Sequence, residues 1–249
     1  MTQEQREARA RENLPFELVL LRHGEPAWEL ALATASNPGL TPFGRDQASR
    51  AASHLSLRPL AALYCSPLAR ARETAMIVGG AQDLVPEVIH NLEEIRVPVL
   101  ENATQSEVDA YFAAAMRRPL SHHWEGFPGG ESFREFHARV TTALESVLAH
   151  YSVRREAAEE FTVWTAPARG HTLRVAIVAH GGTNAVILAH LLGVDPVPWE
   201  WCRFETPLAA ISNISLRSVS DHGYVWSLQR FGWRAESPLP PGEGGAKRG

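Results

Sequence analysis

Arginine and histidine follow directly after an apolar segment near the start of the chain, in the order Arg22-His23-Gly24. Burying an imidazole beside a guanidinium is costly unless both groups find polar partners. The pair suits a phosphoryl group, because arginine can hold two of its oxygens while histidine attacks the phosphorus atom. One such triplet is weak evidence by itself, and its partners must come from the rest of the chain.

Three short apolar runs precede polar residues of this kind, at residues 17–22, 60–65 and 174–179. Continuous apolar runs of this length are typical of strands buried on both faces of a parallel sheet. A further run at 84–89 predicts a weaker strand. The pattern predicts an α/β protein in three layers, with helices on both faces of a mainly parallel sheet.

The residues after the second and third runs complete the candidate site. Ser66-Pro67-Leu68-Ala69-Arg70 follows the second run, and His180-Gly181-Gly182 follows the third. Ligands of open α/β sheets lie beyond the carboxyl ends of the strands, where helix N-termini also favour anions. We therefore expect Arg22-His23-Gly24 to meet both segments at one edge of the sheet.

Helix signals follow the same strand ends. Thr41-Pro42 predicts a helix over 42–56 with the threonine as N-cap, and Ser66-Pro67 predicts a second helix with the serine as N-cap. Ser132-x-x-Glu135 is a capping box ahead of an apolar face with helical spacing. A fourth helix is predicted over 181–192, because a glycine follows it.

Two insertions are predicted between these elements. Residues 91–130 lack a clean period and contain three prolines and a glycine pair, which indicates an irregular lid. Residues 154–171 predict a second, loop-like insertion. Two late runs of β-like composition, 209–217 and 224–231, are expected to pair at an edge of the sheet.

Composition excludes several classes of function. A net charge of −4 gives no electrostatic case for nucleic acid or an anionic membrane as a partner. Only two cysteines, Cys65 and Cys202, are present, which argues against a disulfide scaffold or a zinc knuckle. Residues 1–16 are charged rather than apolar, and no run approaches the roughly 20 apolar residues of a membrane span. We expect a cytoplasmic protein.

The chain is predicted to have three parts. A charged arm occupies 1–14, one folded domain that includes the lid occupies 15–235, and a proline- and glycine-rich tail at 236–249 is expected to be disordered. With 249 residues, 45% of them hydrophobic, the chain can bury the core of one such domain. The oligomeric state stays open, with a homodimer as one arrangement.

Four motifs in this order resemble the histidine phosphatase superfamily, the group that also contains the cofactor-dependent phosphoglycerate mutases. They are Leu21-Arg22-His23-Gly24-Glu25, Leu40-Thr41-Pro42-x-Gly44-Arg45-x-Gln47-Ala48, Tyr64-Cys65-Ser66-Pro67-Leu68-x-Arg70-Ala71-x-x-Thr74-Ala75 and Val178-Ala179-His180-Gly181-Gly182. Gly130-Glu131-Ser132 ahead of a long helix resembles the phosphatase branch of that family. The resemblance runs from about residue 16 to residue 233 and implies a phosphoglycerate mutase-like fold.

The resemblance implies a role for each polar residue. His23 would be the nucleophile that becomes phosphohistidine. Arg22 and Arg70 would hold the phosphoryl oxygens, and His180 would donate to the same oxygens as charge develops. These four side chains can neutralise a phosphoryl group without a metal ion or another cofactor.

Glycines and a carboxylate complete the set of candidates. Gly24 and Gly181 are assigned to substrate binding, because glycine permits a close approach of the backbone. The resemblance also implies an acid after the third strand that protonates the leaving oxygen, with Glu94 as candidate and Glu93 as alternative. The sequence departs from the family here, because Arg96-Val97-Pro98-Val99 replaces the usual Gly-x-Trp-Glu-Gly. Glu29 likewise replaces the usual asparagine after the first motif.

The leading hypothesis is metal-independent hydrolysis of a small phosphomonoester through a phosphohistidine intermediate on His23. A phosphoglycerate mutase that returns the phosphoryl group to its substrate is one alternative. A non-catalytic protein that only binds a phosphorylated ligand is another, since the stretch after Glu94 is altered.

Overall fold

The architecture is described by a computed structural model for residues 15–28, 37–98, 103–219 and 221–235. Its strands are β1 (Phe16–Arg22), β2 (Ala62–Cys65), β3 (Glu87–Val88), β4 (Arg154–Ala158), β5 (Phe161–Thr165), β6 (Leu173–Ala179), β7 (Ile211–Ser218) and β8 (Tyr224–Trp233). Its helices are α1 (Pro42–Leu55), α2 (Ala69–Gly80), α3 (Gln105–Met116), α4 (Phe133–His150), α5 (Gly181–Leu191) and α6 (Glu200–Arg203). Short 3-10 turns cover His90–Leu92 and Leu120–Glu125.

All eight strands form one sheet in the order β3-β2-β6-β1-β7-β8-β5-β4. The first four strands in this order pair in parallel, and the remaining neighbours pair antiparallel. The predicted α/β class is confirmed, but the sheet is mixed rather than mainly parallel. β7 and β8 pair with each other as predicted, yet they lie inside the sheet because β5 and β4 extend it further.

Both faces of the central strands are buried, which creates the three layers. Leu18 and Leu20 of β1 pack with residues of α4 and α5 on one face. Val19 and Leu21, which alternate with them, pack with α1 and α2 on the other face. The continuous apolar run of β1 is therefore explained by helices on both sides of the sheet.

Two of the predicted helix starts are confirmed by their caps. The Thr41 hydroxyl accepts the Gly44 N–H ahead of α1, and Ser132 with Glu135 forms the capping box of α4. The predicted start of α2 is wrong. This helix begins at Ala69 with Leu68 at the N-cap, and the Ser66 side chain, which lies ahead of the helix, contacts His180 Nε2 and accepts the Leu68 N–H at 3.3 Å.

Both predicted insertions contain regular structure. The lid holds α3, whose capping box uses Thr104 and Glu107, so the prediction of an irregular lid is wrong over this helix. The segment 154–171 is no loop, because β4 and β5 form an antiparallel hairpin within it. The weak strand predicted at 84–89 shortens to the two residues of β3.

Several predictions lie outside the described residues. They concern the arm at 1–14, the tail at 236–249, Glu29 and part of the lid at 99–102. The domain boundaries at 15 and 235 therefore stay predictions. No helix in the described part of the chain combines the length and apolarity needed to cross a bilayer.

A buried ion pair ties β1 to β6 at the end of the sheet opposite the polar strand ends. Arg174 Nε lies 2.9 Å from Glu17 Oε1, with side-chain exposures of 7% and 5%. Arg174 also donates to the carbonyl oxygens of Leu55 and Arg58. The Arg58 side chain contacts Glu17 Oε2 from the surface, where it is 59% exposed.

Arg174→Met is expected to lower the free energy of unfolding by about 3 kcal/mol, since Glu17 then stays buried without its main cation. Arg58→Met is the matched control and should cost less than about 1 kcal/mol, because an exposed pair is well screened. Urea titrations followed by circular dichroism measure both values. Equal losses in the two variants would contradict this account of the ion pair.

Candidate active site

The carboxyl ends of β1, β2 and β6 meet at one edge of the sheet, as the sequence predicts. The His23 N–H donates to the Ala179 carbonyl at 3.0 Å, and the Ser66 N–H donates to the Val178 carbonyl at 3.0 Å. These bonds extend the parallel pairing by one residue past each strand. They bring the polar residues that follow the three strands into direct contact.

His23 has one ring nitrogen bound and the other directed into the site. Nδ1 lies 2.7 Å from the Gly24 carbonyl oxygen, which can only accept, so Nδ1 carries the hydrogen. Nε2 then presents its lone pair towards Arg70. Burial, with repulsion from Arg70 and Arg22, lowers the pKa of His23 to about 3, although the hydrogen bond to Gly24 acts in the opposite direction. The imidazole is neutral at physiological pH, as nucleophilic attack requires.

Two arginines flank this imidazole. Arg70, only 6% exposed, places its Nε 3.3 Å from His23 Nε2, and its guanidinium carbon lies 5.1 Å from the centre of the Trp28 ring. Arg22 donates from Nη1 to the Thr206 carbonyl, while its buried Nε has no hydrogen-bond partner in the described structure. Two forked cations beside one neutral imidazole are suited to holding a tetrahedral oxyanion.

His180 completes the cationic side of the site. Its ring centre lies 5.1 Å from that of His23, and its Nε2 lies 2.7 Å from Ser66 Oγ. Among the described residues its buried Nδ1 has no partner. When the Ser66 hydroxyl donates to Nε2, Nδ1 carries the hydrogen and is free to donate to an anion. Burial, followed by repulsion from His23 and both arginines, holds the pKa of His180 well below its usual range.

Glu94 is the carboxylate that lies at this site. One oxygen accepts the Gly182 N–H at 2.8 Å, and the other accepts the Ile95 N–H at 3.1 Å. Burial raises the pKa of Glu94, although these two bonds and the charges of Arg70 and Arg22 oppose the rise. A carboxyl group with a raised pKa is suited to donate a proton.

Glu93, the alternative acid, is directed elsewhere. Its carboxylate lies 3.0 Å from Nε of Arg96, a residue whose side chain is 56% exposed. Only the backbone carbonyl of Glu93 faces the site, where it accepts the Thr183 hydroxyl at 3.0 Å. The geometry therefore favours Glu94 over Glu93 as the proton donor.

The glycines of the site make room for other groups. The Gly24 N–H donates to Thr74 Oγ1, and a Cβ atom at Gly24 would lie 2.4 Å from the Gly44 carbonyl oxygen. A Cβ atom at Gly182 would lie 2.5 Å from Glu94 Oε1, and one at Gly181 would lie 3.4 Å from Arg22 Cζ. Gly24 thus packs the loop onto α1, while Gly182 makes room for the carboxylate.

The sequence places Ser66 at this edge of the sheet but predicts a helix cap for its side chain, although its position after a buried strand matches that of His23. Two further residues contact the site or its supporting segment without having been predicted. Trp28 lies against Arg70 but stands outside the apolar runs. Arg139 holds the segment that carries Glu94. Its signal is a cation three residues after Phe136, on the buried face of α4.

The fold and the site together match those of one enzyme superfamily. The sequence matches the family model of the histidine phosphatase superfamily (branch 1) over residues 18–233, and the chain belongs to this family. A glucosyl-3-phosphoglycerate phosphatase of Mycolicibacterium vanbaalenii is 31% identical over 185 residues, 73% of this chain and 76% of the relative. The native structure of a mycobacterial glucosyl-3-phosphoglycerate phosphatase matches with TM-score 0.64 and 26% identity, covering 88% of this chain and 99% of that chain.

One further relative is longer than this chain. A bifunctional protein of Mycobacterium tuberculosis is 34% identical over 140 residues, which are 55% of this chain and only 38% of the relative. The chain thus spans about two fifths of the length of that relative.

Proposed function

We propose that the protein hydrolyses small phosphomonoesters through a phosphohistidine intermediate on His23, without a metal ion. The observation that carries the proposal is the orientation of the His23 ring. Nδ1 is fixed on the Gly24 carbonyl, so Nε2 keeps the lone pair, which accepts the Arg70 Nε–H at 3.3 Å, and the centre of the His180 ring lies 5.1 Å from that of His23. A buried, neutral imidazole aimed at an anion-binding cluster is arranged for attack on phosphorus.

In the first step His23 Nε2 attacks the phosphorus atom, and the bond from phosphorus to the ester oxygen breaks. The electron pair of that bond stays on the ester oxygen, which takes a proton from Glu94. Arg22, Arg70 and His180 stabilise the charge on the three equatorial oxygens. The alcohol leaves, and the phosphoryl group remains on Nε2.

In the second step a water molecule attacks phosphorus, and the bond to Nε2 breaks. The lone pair returns to the imidazole, and the Glu94 carboxylate takes a proton from the water. Phosphate departs with the site restored. Glu94 therefore acts as acid and then as base, and burial, which raises its pKa, favours the protonated form that the first step requires.

Hydrolysis is favoured over the mutase alternative by the pairing of two of the three lid arginines. Arg96 is bound to Glu93, and Arg118 donates to the carbonyls of Ala115 and Gly126. These two cations are engaged within the lid rather than left to hold the carboxylate of a phosphoglycerate. Water is then the acceptor that the site favours.

The names of the relatives suggest which substrates to test first. Two relatives are named as phosphatases of glucosyl-3-phosphoglycerate, so this is the first ester that we propose to test, alongside other phosphorylated metabolites.

A cytoplasmic location is also our proposal. It is supported by Cys65 and Cys202, which are both free thiols.

Phosphate release from 4-nitrophenyl phosphate should survive exhaustive chelation and should be inhibited competitively by vanadate, which resembles the trigonal-bipyramidal phosphorus of the transition state. Steady-state assays with and without a chelator measure the first effect. Assays over a range of vanadate concentrations, without the chelator because it would bind vanadate, measure the second. Loss of activity on chelation that a single divalent ion restores would contradict the metal-independent route. Vanadate binding without any phosphate release would favour the non-catalytic alternative. Isomerisation of 3-phosphoglycerate that outpaces phosphate release would favour the mutase.

A further inference from the structure

One arginine of α4 holds the whole backbone segment that carries Glu94. Arg139 Nη1 donates to the carbonyl oxygens of Asn91 at 2.9 Å and Glu93 at 3.0 Å. Its Nη2 donates to the carbonyl oxygen of Glu94 itself at 3.0 Å. A single guanidinium therefore satisfies three carbonyls of a stretch that has no strand pairing and only one short 3-10 turn.

Glu131 holds this arginine in place. Its two carboxylate oxygens lie 2.6 Å from Arg139 Nε and 2.8 Å from Nη2, and the two side chains are only 8% and 11% exposed. Glu131 also accepts the Arg96 N–H and donates its own N–H to the Arg96 carbonyl. The segment from Asn91 to Arg96 is thus held by Arg139 of α4 and by Glu131, which lies just ahead of that helix.

We propose that Arg139 and Glu131 are positioning residues that keep the Glu94 carboxyl at the leaving oxygen. This inference rests on the proposed function, because it gives Glu94 the role of acid. Arg139 and Glu131 neutralise each other's charge through two parallel hydrogen bonds. The three other N–H groups of the guanidinium then donate to backbone carbonyls. A shift of about 1 Å in a catalytic group can cost about 100-fold in rate, which makes a rigid support valuable.

A positioning role differs from a merely structural one in its dependence on the leaving group. A nitrophenolate leaves with little help, whereas a phenolate with electron-donating substituents is more basic and needs a proton. Displacing Glu94 should therefore penalise poor leaving groups selectively. None of the side-chain hydrogen bonds that His23, Arg22, Arg70 and His180 make in the described structure involves Arg139. The charge of Arg139 is the smallest of the causes that lower the pKa of His180. Binding of the phosphoryl group should therefore be kept.

The experiment uses the full chain and a series of para-substituted phenyl phosphates. Arg139→Met is expected to lower kcat/KM by about 100-fold for 4-methoxyphenyl phosphate and by less than about threefold for 4-nitrophenyl phosphate. The plot of log kcat/KM against leaving-group pKa should become steeper, as it should in Glu94→Gln. Inhibition by vanadate should stay within about threefold of the wild type.

Two further variants serve as controls for a loss of folding in Arg139→Met. Arg139→Lys keeps the positive charge but cannot fork to five acceptors, so it should fold and still show a steeper plot than the wild type. Arg134→Met removes a cation from the exposed side of the same helix, where it lies over the Trp124 ring, and should leave the slope unchanged.

Three outcomes would overturn the inference. The first two are an equal loss across the whole series and a slope that matches the wild type in both Arg139 variants. The third is a large loss of vanadate affinity, since it would show general damage to the site. Different results would contradict the proposed function itself. They are a wild-type protein that hydrolyses no member of the series, or a His23→Ala variant that keeps its activity.

Discussion

Replacing His23 by alanine is expected to lower kcat by at least about three orders of magnitude, because the covalent route to hydrolysis is removed. No neighbouring histidine is placed to take over the nucleophilic role of the neutral His23 ring. His180 has its Nε2 on Ser66, and no other described histidine ring lies against His23. Steady-state phosphate release from 4-nitrophenyl phosphate measures the loss.

The intermediate provides a second readout of the same variant. Wild-type protein quenched during turnover should carry phosphate that is released by acid and retained in base, whereas His23→Ala should carry none. His54→Ala is the matched control, since His54 packs on Trp233 and Arg230 away from the site. Turnover near the wild-type rate in His23→Ala would end the proposal that this residue is the nucleophile.

The site residues that come directly after a strand in the chain could be predicted from the sequence. Each of the three apolar runs ends at the same edge, so local chain order was enough to bring His23, Arg70 and His180 together. The physical cause is the parallel pairing of β1, β2 and β6, which aligns their carboxyl ends. No information about side-chain partners was needed for that step.

Side-chain partners were harder to predict, because one residue type serves several purposes. Ser66 precedes a proline and is a good N-cap by composition, yet its hydroxyl bonds to His180 across the site. Which acceptor a serine finds depends on the neighbouring strand, and that neighbour is remote in sequence. The same holds for Arg139, whose three carbonyl partners lie more than forty residues away.

Missing turn and periodicity signals explain the errors in the fold. The hairpin of β4 and β5 turns at Glu159-Glu160, with Glu159 at φ 55°, where glycine or asparagine would normally mark a two-residue turn. The lid helix α3 carries a capping box, but its apolar residues do not fall on one strong face. The late strands were placed at an edge because nothing local showed that β5 would pair with β8.

Glu94→Gln is expected to lower kcat/KM for poor leaving groups by about 100- to 10,000-fold, the usual contribution of a general acid. The amide keeps the shape of the side chain and can still accept the Gly182 N–H, but it has no proton of suitable acidity to give. The loss on 4-nitrophenyl phosphate should be far smaller. Glu93→Gln is the matched control, since that carboxylate pairs with Arg96 outside the site.

The pH dependence tests the same assignment with a defined sign. Because kcat/KM reports the first transfer, in which Glu94 must be protonated, activity should fall as pH rises through the pKa of Glu94. Burial raises that pKa above the ordinary range of a carboxyl group, so the fall should lie at higher pH than for an exposed glutamate. Glu94→Gln cannot titrate, and its kcat/KM for phenyl phosphate should lack this alkaline limb. Two results together would remove Glu94 from the mechanism. One is an alkaline limb that persists unchanged in Glu94→Gln, and the other is an equal loss of kcat/KM on phenyl phosphate and on 4-nitrophenyl phosphate.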